Sequence, residues 1–513
     1  NSGGMVMGIC NGFQILVEAG LVPGVLLRNK YLEFICKNVF VKINDKNNTY
    51  FKNIDNEVLE FHIAHNEGNY FCSKDEIKSL EDKKQVAITY CNQEGLENDE
   101  DNPNGALKNI AGIFNENKNV LGMMPHPERM IDDYLSGKSG KKRVFLDAKG
   151  REIASPHLVV PVVEGKDLYL TIDYRAQFYG NKILKESIKY HDADSGSLMI
   201  IDSSSGEIIT MVNAPNFNPN SRSTFIAPHV RNRAITDPYE PGSTLKPFVI
   251  AAALENGVLQ PLSKINTSPG LLKVGNWKIR DGRDHGVITV EQILEKSSNV
   301  GVAKISDKLT GDGFLTNLER FGFGEYTGAM LPGESIGEFP ELERMSFLRK
   351  RSLSFGYGIS VTTAQLARAY SVFANDGSIL DLKISKHSTH RQARRVVSSK
   401  TSSQVFAMLR KAVEQGTGTQ ANITNFDVAG KTGTVRKASH AGYSEDEHTV
   451  FFAGILPTRS ANYVCVVVVD RPRLNGSTGG KVAASIFSKL MEEIIRIFAL
   501  EPLKINQLIE GEI

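Results

Sequence analysis

The chain has 513 residues, of which 41% are hydrophobic and 23% charged, with a formal net charge of +2. That is ordinary globular material, long enough for two to four domains. A charge this close to balance leaves no electrostatic footprint for nucleic acid or a membrane surface. Short basic clusters at Arg344–Arg351 and His390–Arg395 read as solvated faces. The strongest apolar run, Tyr463 to Val469, is of strand length, well short of a membrane helix. Five cysteines, Cys10, Cys36, Cys72, Cys91 and Cys465, have neither metal spacing nor a paired framework, so reduced thiols are expected.

The first residues read as strand, tight turn, helix. Met5-Val6-Met7 is apolar, Gly8-Ile9-Cys10-Asn11-Gly12 is the turn, and Phe13 to Ala19 is helical up to Gly20. This is a nucleophile elbow, G-x-Nu-x-G, carrying cysteine. The helix N-terminus behind it favours thiolate at Cys10; the competing reading is a buried structural thiol. Ile110–Phe114 and Val120–Met124 pair around Asn115–Asn119 and lead into Pro125-His126-Pro127-Glu128. A histidine between prolines with a carboxylate two residues on supplies base and orienter for a Cys10-His126-Glu128 triad. His62 and His65 form an H-x-x-H that we read as not metal-binding.

Gly8-Ile9-Cys10-Asn11-Gly12-Phe13-Gln14, Ala64-His65-Asn66-Glu67-Gly68-Asn69-Tyr70, Asn102-Pro103-Asn104-Gly105 and Met124-Pro125-His126-Pro127-Glu128-Arg129 resemble the glutamine amidotransferase subunit of phosphoribosylformylglycinamidine synthase. The resemblance covers residues 1–130. It implies an α/β, flavodoxin-like fold and ammonia release from glutamine for a synthetase subunit. In that family several strands and a glycine loop of the oxyanion hole precede the elbow. The chain opens on Asn1 in mid-pattern, so a truncated start is expected. Loss of one oxyanion donor costs roughly 2.7–4 kcal/mol of barrier, so the segment is expected not to work as a glutaminase.

Ser136-Gly137-Lys138-Ser139-Gly140-Lys141-Lys142 reads as a linker. Leu158–Val163 and Asp167–Ile172 read as strands, and Asp173–Tyr190 as an amphipathic helix. Ser197–Ile201 and Glu207–Val212 make a hairpin with Gly206 in its turn. Glu240-Pro241-Gly242-Ser243-Thr244-Leu245-Lys246-Pro247-Phe248 opens a helix closed near Gly257. Thr289-Val290-Glu291-Gln292 is a capping box, followed by Lys296-Ser297-Ser298-Asn299-Val300-Gly301. Ser354-Phe355-Gly356-Tyr357-Gly358 is a loop before the helix Thr363–Phe373. Asp427–Thr434 is a strand, with Phe451–Leu456 and Tyr463–Val469 as sheet neighbours.

Ser243-x-x-Lys246, Ser297-x-Asn299 and Lys431-Thr432-Gly433 are together the three elements of penicillin-recognising serine enzymes. Decoys at Ser139, Ser460 and Lys138 lie in the linker or a turn. The chemistry needs these types: Lys246 deprotonates Ser243 from one turn away, and Ser297 relays a proton. Asn299 orients an amide, and Lys431 offers a fixed charge to a carboxylate while repelling charge from Lys246. Gly433 lets a peptide strand approach, and the N–H groups of Ser243 and Thr434 form the oxyanion hole.

The stretches around Ser243, Ser297, Ser354 and Ala429-Gly430-Lys431-Thr432-Gly433-Thr434 resemble a class B penicillin-binding protein of the septal D,D-transpeptidase type, from about Arg143 to Pro502. This implies an α+β fold, an antiparallel sheet flanked by helices. It implies cross-linking of D-Ala-D-Ala stem peptides, capture by β-lactams, cell-division partners and action at the periplasmic face of the inner membrane, without a cofactor. Alternatives are a purine-pathway amidotransferase, a β-lactamase or β-lactam sensor, and a non-catalytic remnant. The expected domains are 1–135, a junction and pedestal remnant at 136–165, 166–500, and a tail at 501–513. The two halves belong to different compartments, so a fused or mis-joined reading frame is expected.

Overall fold

The computed structural model describes residues 4–127, 141–143, 157–160 and 167–502, apart from 31–32, 34, 53, 55, 219–225, 275–276, 342–345, 389–392, 440–441 and 460–461. Two compact units separate, Asn1–Leu168 and Tyr169–Ile513. Glu128, the start of the expected linker and the tail beyond 502 lie outside the described residues. Among the described residues no helix is long and apolar enough to cross a membrane.

In the first unit, strand β1 (Val6–Ile9) turns through Cys10 into helix α1 (Asn11–Glu18). Strands β2 (Ile35–Ile43) and β3 (Val58–His65) form a long antiparallel pair. Helix α2 (Lys74–Asp82) starts at a capping box between Ser73 and Glu76, which satisfies two orphan backbone donors at once. Strands β4 (Val86–Cys91), β5 (Ile110–Phe114) and β6 (Val120–Met123) complete a six-stranded sheet of order β1-β6-β5-β4-β2-β3. β1 and β6 run parallel and the other neighbours antiparallel. Phe13, Val41, Ile63, Tyr90, Ile113 and Leu121 form its core.

Late in the first unit, His157–Val160 pairs with Lys141–Arg143. The stretch Asp167–Ile172 is not the expected strand. Leu170 makes a single bridge to Ser385. Thr171 N donates to Ile384 O at 2.8 Å, and the Thr171 hydroxyl donates to the carbonyl of Ile208 at 2.7 Å.

The second unit begins with helix α3 (Tyr174–Tyr190), capped by Asp173. Strands β7 (Ser195–Asp202) and β8 (Ile208–Ala214) form the hairpin, with Gly206 at φ +71°. Helix α4 (Lys246–Glu255) buries nine of its ten residues, as a helix apolar all round must. A small hairpin, β9 (Leu271–Val274) and β10 (Trp277–Arg280), precedes helices α5 (Val290–Glu295) and α6 (Asn299–Ser306). The capping box at Thr289 and Gln292 is present. Helices α7 (Thr363–Ala374) and α8 (Ser399–Glu414) lead to strands β11 (Ala429–Ser439), β12 (Gly442–Pro457) and β13 (Asn462–Asp470), and helix α9 (Ala483–Phe498) closes the unit. The antiparallel sheet runs β8-β7-β13-β12-β11. One core lies around Phe248, Phe321, Phe323, Tyr370 and Phe373; another, on Val467, Phe452 and Phe487, fills the α9 side.

Candidate functional site

Ser243 sits in a 3₁₀ turn, Gly242–Leu245, that runs straight into α4. Gly242 has φ +54°, and a Cβ there would meet Val435 Cγ2 at 2.3 Å. Gly356 has φ +88°, and its Cβ would fall 2.1 Å from Gly242 O. Two backbones therefore meet glycine on glycine, joined by Gly242 N donating to Gly356 O at 3.2 Å. From below, Tyr370 OH donates to Thr244 O at 2.9 Å.

Lys246 is fully buried. Its Nζ lies 2.6 Å from Ser297 O, 3.1 Å from Ser297 Oγ and 2.7 Å from Asn299 Oδ1. The side chain is thus directed at the S-x-N turn, and the Ser243 hydroxyl has no hydrogen bond among the described residues. Burial first, then the neighbouring Lys431 charge, pull Lys246 well below the ordinary lysine value, while Asp281 pulls the other way. Burial and the Lys431 charge both disfavour the charged form of the amine.

Ser297 occupies the break between α5 and α6 at φ +57°. A non-glycine residue there is strained by about 1–3 kcal/mol and needs outside support. Asp281 supplies it. Asp281 Oδ1 accepts from Asn299 N at 2.6 Å and Val300 N at 3.0 Å, and its Oδ2 accepts from Ser298 Oγ at 2.6 Å. Nothing in the spacing of Arg280-Asp281-Gly282 singles this carboxylate out.

Lys431 is also fully buried, pointing from β11 toward Thr417 Oγ1 and Thr432 O, each at 3.3 Å. Burial lowers it to about 7. Its charge is therefore conditional near neutrality, where the motif suggested a fixed one. Thr417, which no motif flags, also bonds Thr432 Oγ1 at 2.7 Å. Thr434 Oγ1 accepts from Gly479 N at 3.0 Å. A Cβ on Gly433 would meet Pro241 O and Thr244 Cγ2 at 3.1 Å, so β11 lies close against the serine turn. Glu240, raised by burial, accepts from Gly358 N at 2.8 Å and Tyr443 OH at 3.0 Å. A cavity of about 410 Å³ lined by Trp277, Phe355, Tyr357 and Tyr443 opens beside this loop.

In the first unit Cys10 is buried at φ 53°, ψ −108°, the sharp elbow the glycines foretell. Cys10 N donates to Met123 O at 2.8 Å, and His126 follows three residues later. Both thus sit at the carboxyl ends of the parallel pair β1 and β6. His126 N donates to His62 O at 2.8 Å. His65 is pushed down to about 4 by burial and bonds Asn104 Oδ1 at 2.9 Å, and Asn104 Nδ2 reaches Tyr90 OH at 2.7 Å. The second and third motifs of this unit thus meet in one buried chain. Strand alternation sends His62 and His65 to opposite faces of β3, so the H-x-x-H pair does not converge.

The penicillin-binding protein transpeptidase domain model matches residues 196–492, more than half of the chain. The chain belongs to the penicillin-binding protein transpeptidase family. Its three motifs fall on the elements described, in a unit like others of the family. The probable peptidoglycan D,D-transpeptidase PbpC of Pseudomonas aeruginosa is 36% identical over 72% of this chain and 66% of that protein. The transpeptidase domain of penicillin-binding protein 3 from Burkholderia pseudomallei superposes with a TM-score of 0.60 at 30% identity, covering 66% of this chain and 98% of that one. Residues 1–144 match the CobB/CobQ-like glutamine amidotransferase domain. Phosphoribosylformylglycinamidine synthase subunit PurQ of Pelagibacter ubique is 69% identical over 27% of this chain and 61% of that subunit. The chain therefore fuses an amidotransferase-type unit to a penicillin-binding transpeptidase unit, and spans just under two thirds of the length of each of these two curated relatives.

Proposed function

We propose that residues 166–500 act as a peptidoglycan D,D-transpeptidase, cross-linking stem peptides through an acyl-enzyme on Ser243. The observation that carries this reading is a buried Lys246 converging with Ser297 and Asn299 beneath the Ser243 turn. A neutral amine has two N–H donors and one lone pair. The short contacts to Ser297 O and Asn299 Oδ1 engage the donors, which leaves the lone pair for a hydroxyl proton. Ser243 Oγ attacks the carbonyl of the penultimate D-alanine, and its proton passes to Lys246. Ser297 Oγ, 3.1 Å from Nζ, returns the proton to the departing D-alanine amine. An acceptor amine then opens the acyl-enzyme. Asn299 orients the substrate amide, and the N–H groups of Ser243 and Thr434 hold the oxyanion. Lys431, with Thr432 and Thr434, faces the terminal carboxylate, and Gly433 admits the peptide as an added strand. β-Lactams, which mimic this peptide, acylate the same hydroxyl; cell-division proteins are the partners this family suggests. The test supplies the full chain with a D-Ala-D-Ala donor peptide and a D-amino acid acceptor. D-Alanine release with an exchanged product, lost in Ser243→Ala, supports the reading. β-Lactam hydrolysis without exchange replaces it with a hydrolase.

The strained Cys10 elbow favours a second reading for the first unit, a glutaminase with Cys10 as nucleophile and His126 as base, Glu128 completing the triad. Ammonia release from glutamine that disappears in Cys10→Ala supports it; equal release from both proteins removes it.

A further inference from the structure

A second thiol in the first unit lies outside both candidate sites. β2 and β3 pair with Asn38 directly opposite His62 and Cys36 opposite Ala64. Alternation sends Val39, Val41, Ile63 and His65 into the core and turns Cys36, Asn38, Glu60 and His62 to the outer face. On that face Cys36 Sγ is 3.4 Å from His62 Nε2, and His62 Nδ1 is 2.9 Å from Asn38 Oδ1. Asn38 Nδ2 donates to Glu60 Oε1 at 3.2 Å. Glu60 thereby fixes the amide with its oxygen toward the ring. An amide oxygen only accepts, so His62 Nδ1 carries the proton and Nε2 presents a lone pair to the thiol. Nucleophile, base and orienter stand in the Cys-His-Asn order of activated thiols.

Accessibility separates this thiol from the other four. Cys36 is exposed, while Cys10, Cys72, Cys91 and Cys465 are buried. Burial pushes Cys72 and Cys465 upward, and Cys91 to about 11. The face is open, and none of the described cavities is lined by Cys36, Asn38 or His62. An open face suits a small flexible reagent better than an enclosed substrate.

We propose that Cys36 is a thiol-modification site, with His62 as its base and Asn38 as the orienter, that takes up low-molecular-mass disulfides. His62 Nε2 accepts the thiol proton, and the Cys36 sulfur attacks one sulfur of R–S–S–R. The old S–S bond breaks, the leaving thiolate takes the proton from His62, and one RSH is released. Cys36 is oxidised to a mixed disulfide as half of the reagent is reduced. The adduct sits on β2, beside β3, whose His62 carbonyl holds the His126 amide.

The experiment exposes the full chain to glutathione disulfide and follows each cysteine-bearing peptide by mass spectrometry. An ordinary thiol is only about 3% thiolate at pH 7. A base that takes the thiol proton as the sulfur attacks is expected to raise the rate by roughly three- to tenfold. Cys36 is expected to carry the adduct first, and His62→Gln to slow it by about that factor at pH 7. The gap narrows at pH 9, where hydroxide can replace the base. Asn38→Ala falls between the two. Cys36 is exposed and Asn38 and His62 are half-buried, so an unchanged melting temperature is required to show that folding is intact. Equal rates for wild type and His62→Gln at pH 7, or first reaction at another cysteine, overturns the proposal.

Discussion

Replacing Asp281 by alanine tests how the catalytic turn is held. The carboxylate accepts three hydrogen bonds, from Asn299 N, Val300 N and Ser298 Oγ, all between 2.6 and 3.0 Å. Bonds to a charged group contribute about 1.5–3 kcal/mol each, and they are not additive where the group meets solvent. Asp281 also caps the first turn of α6, a role whose loss costs about 0.5–2 kcal/mol. The net expectation is a loss of roughly 2–4 kcal/mol in the transpeptidase unit. Ser297 at φ +57° is then free to relax, taking Ser297 O and Asn299 Oδ1 away from Lys246. A displacement near 1 Å in such a constellation slows chemistry by about 100-fold. The assay is the second-order rate of labelling with a fluorescent penicillin, beside a thermal melt. Asp281→Asn keeps acceptance of the two backbone N–H groups and should retain more of both. Labelling within twofold of wild type in a normally folded Asp281→Ala protein would refute the reasoning.

Acylation should have a bell-shaped pH profile. Lys246 loses its lone pair as the pH falls and it takes up a proton; Lys431 loses its charge as the pH rises through about 7. The rate with benzylpenicillin at low concentration, which reports the free enzyme, should therefore decline on the alkaline side, and Lys431→Arg should flatten that limb because guanidinium stays charged. A wild-type rate constant from pH 6.5 to 9 would count against the account. Gly433→Val must push on Pro241 O and Thr244 Cγ2, both 3.1 Å from a Cβ; overpacking of this kind costs about 1–3 kcal/mol, and labelling should drop at least tenfold. The Phe248 ring centroid lies within 5.4 Å of those of Phe321, Phe323 and Tyr370, all edge-on, and of Phe373, stacked, so Phe248→Ala should cost about 3–5 kcal/mol in urea unfolding.

Much of this architecture is legible in the residues because local physics and tertiary packing agree. The capping box at Thr289, the turn at Gly206 and the Val-rich run of β13 each have one comfortable structure. The motifs also name Ser243, Lys246, Ser297, Asn299 and Lys431, which the fold gathers on adjoining elements. Spacing could not show where Lys246 points. A pattern of i and i+3 suggests reach to Ser243, yet Nζ hydrogen-bonds a turn 51 residues away. Asp281 and Thr417 were invisible for the same reason: each acts through a long-range hydrogen bond with no periodicity. The Lys431 charge was misread because burial, which sets it, is a property of the packed strand. Phe178 of α3 is apolar yet 61% exposed, since an apolar residue on a helix flank is not bound to face inward.

The central claim is that Ser243 is an acylable nucleophile. Intact-mass analysis of the full chain after incubation with benzylpenicillin, followed by peptide mapping, addresses it directly. The account predicts one long-lived penicilloyl group per chain, on Ser243, absent from Ser243→Ala and from Lys246→Met. An unmodified chain, or an adduct on any other residue, would contradict it.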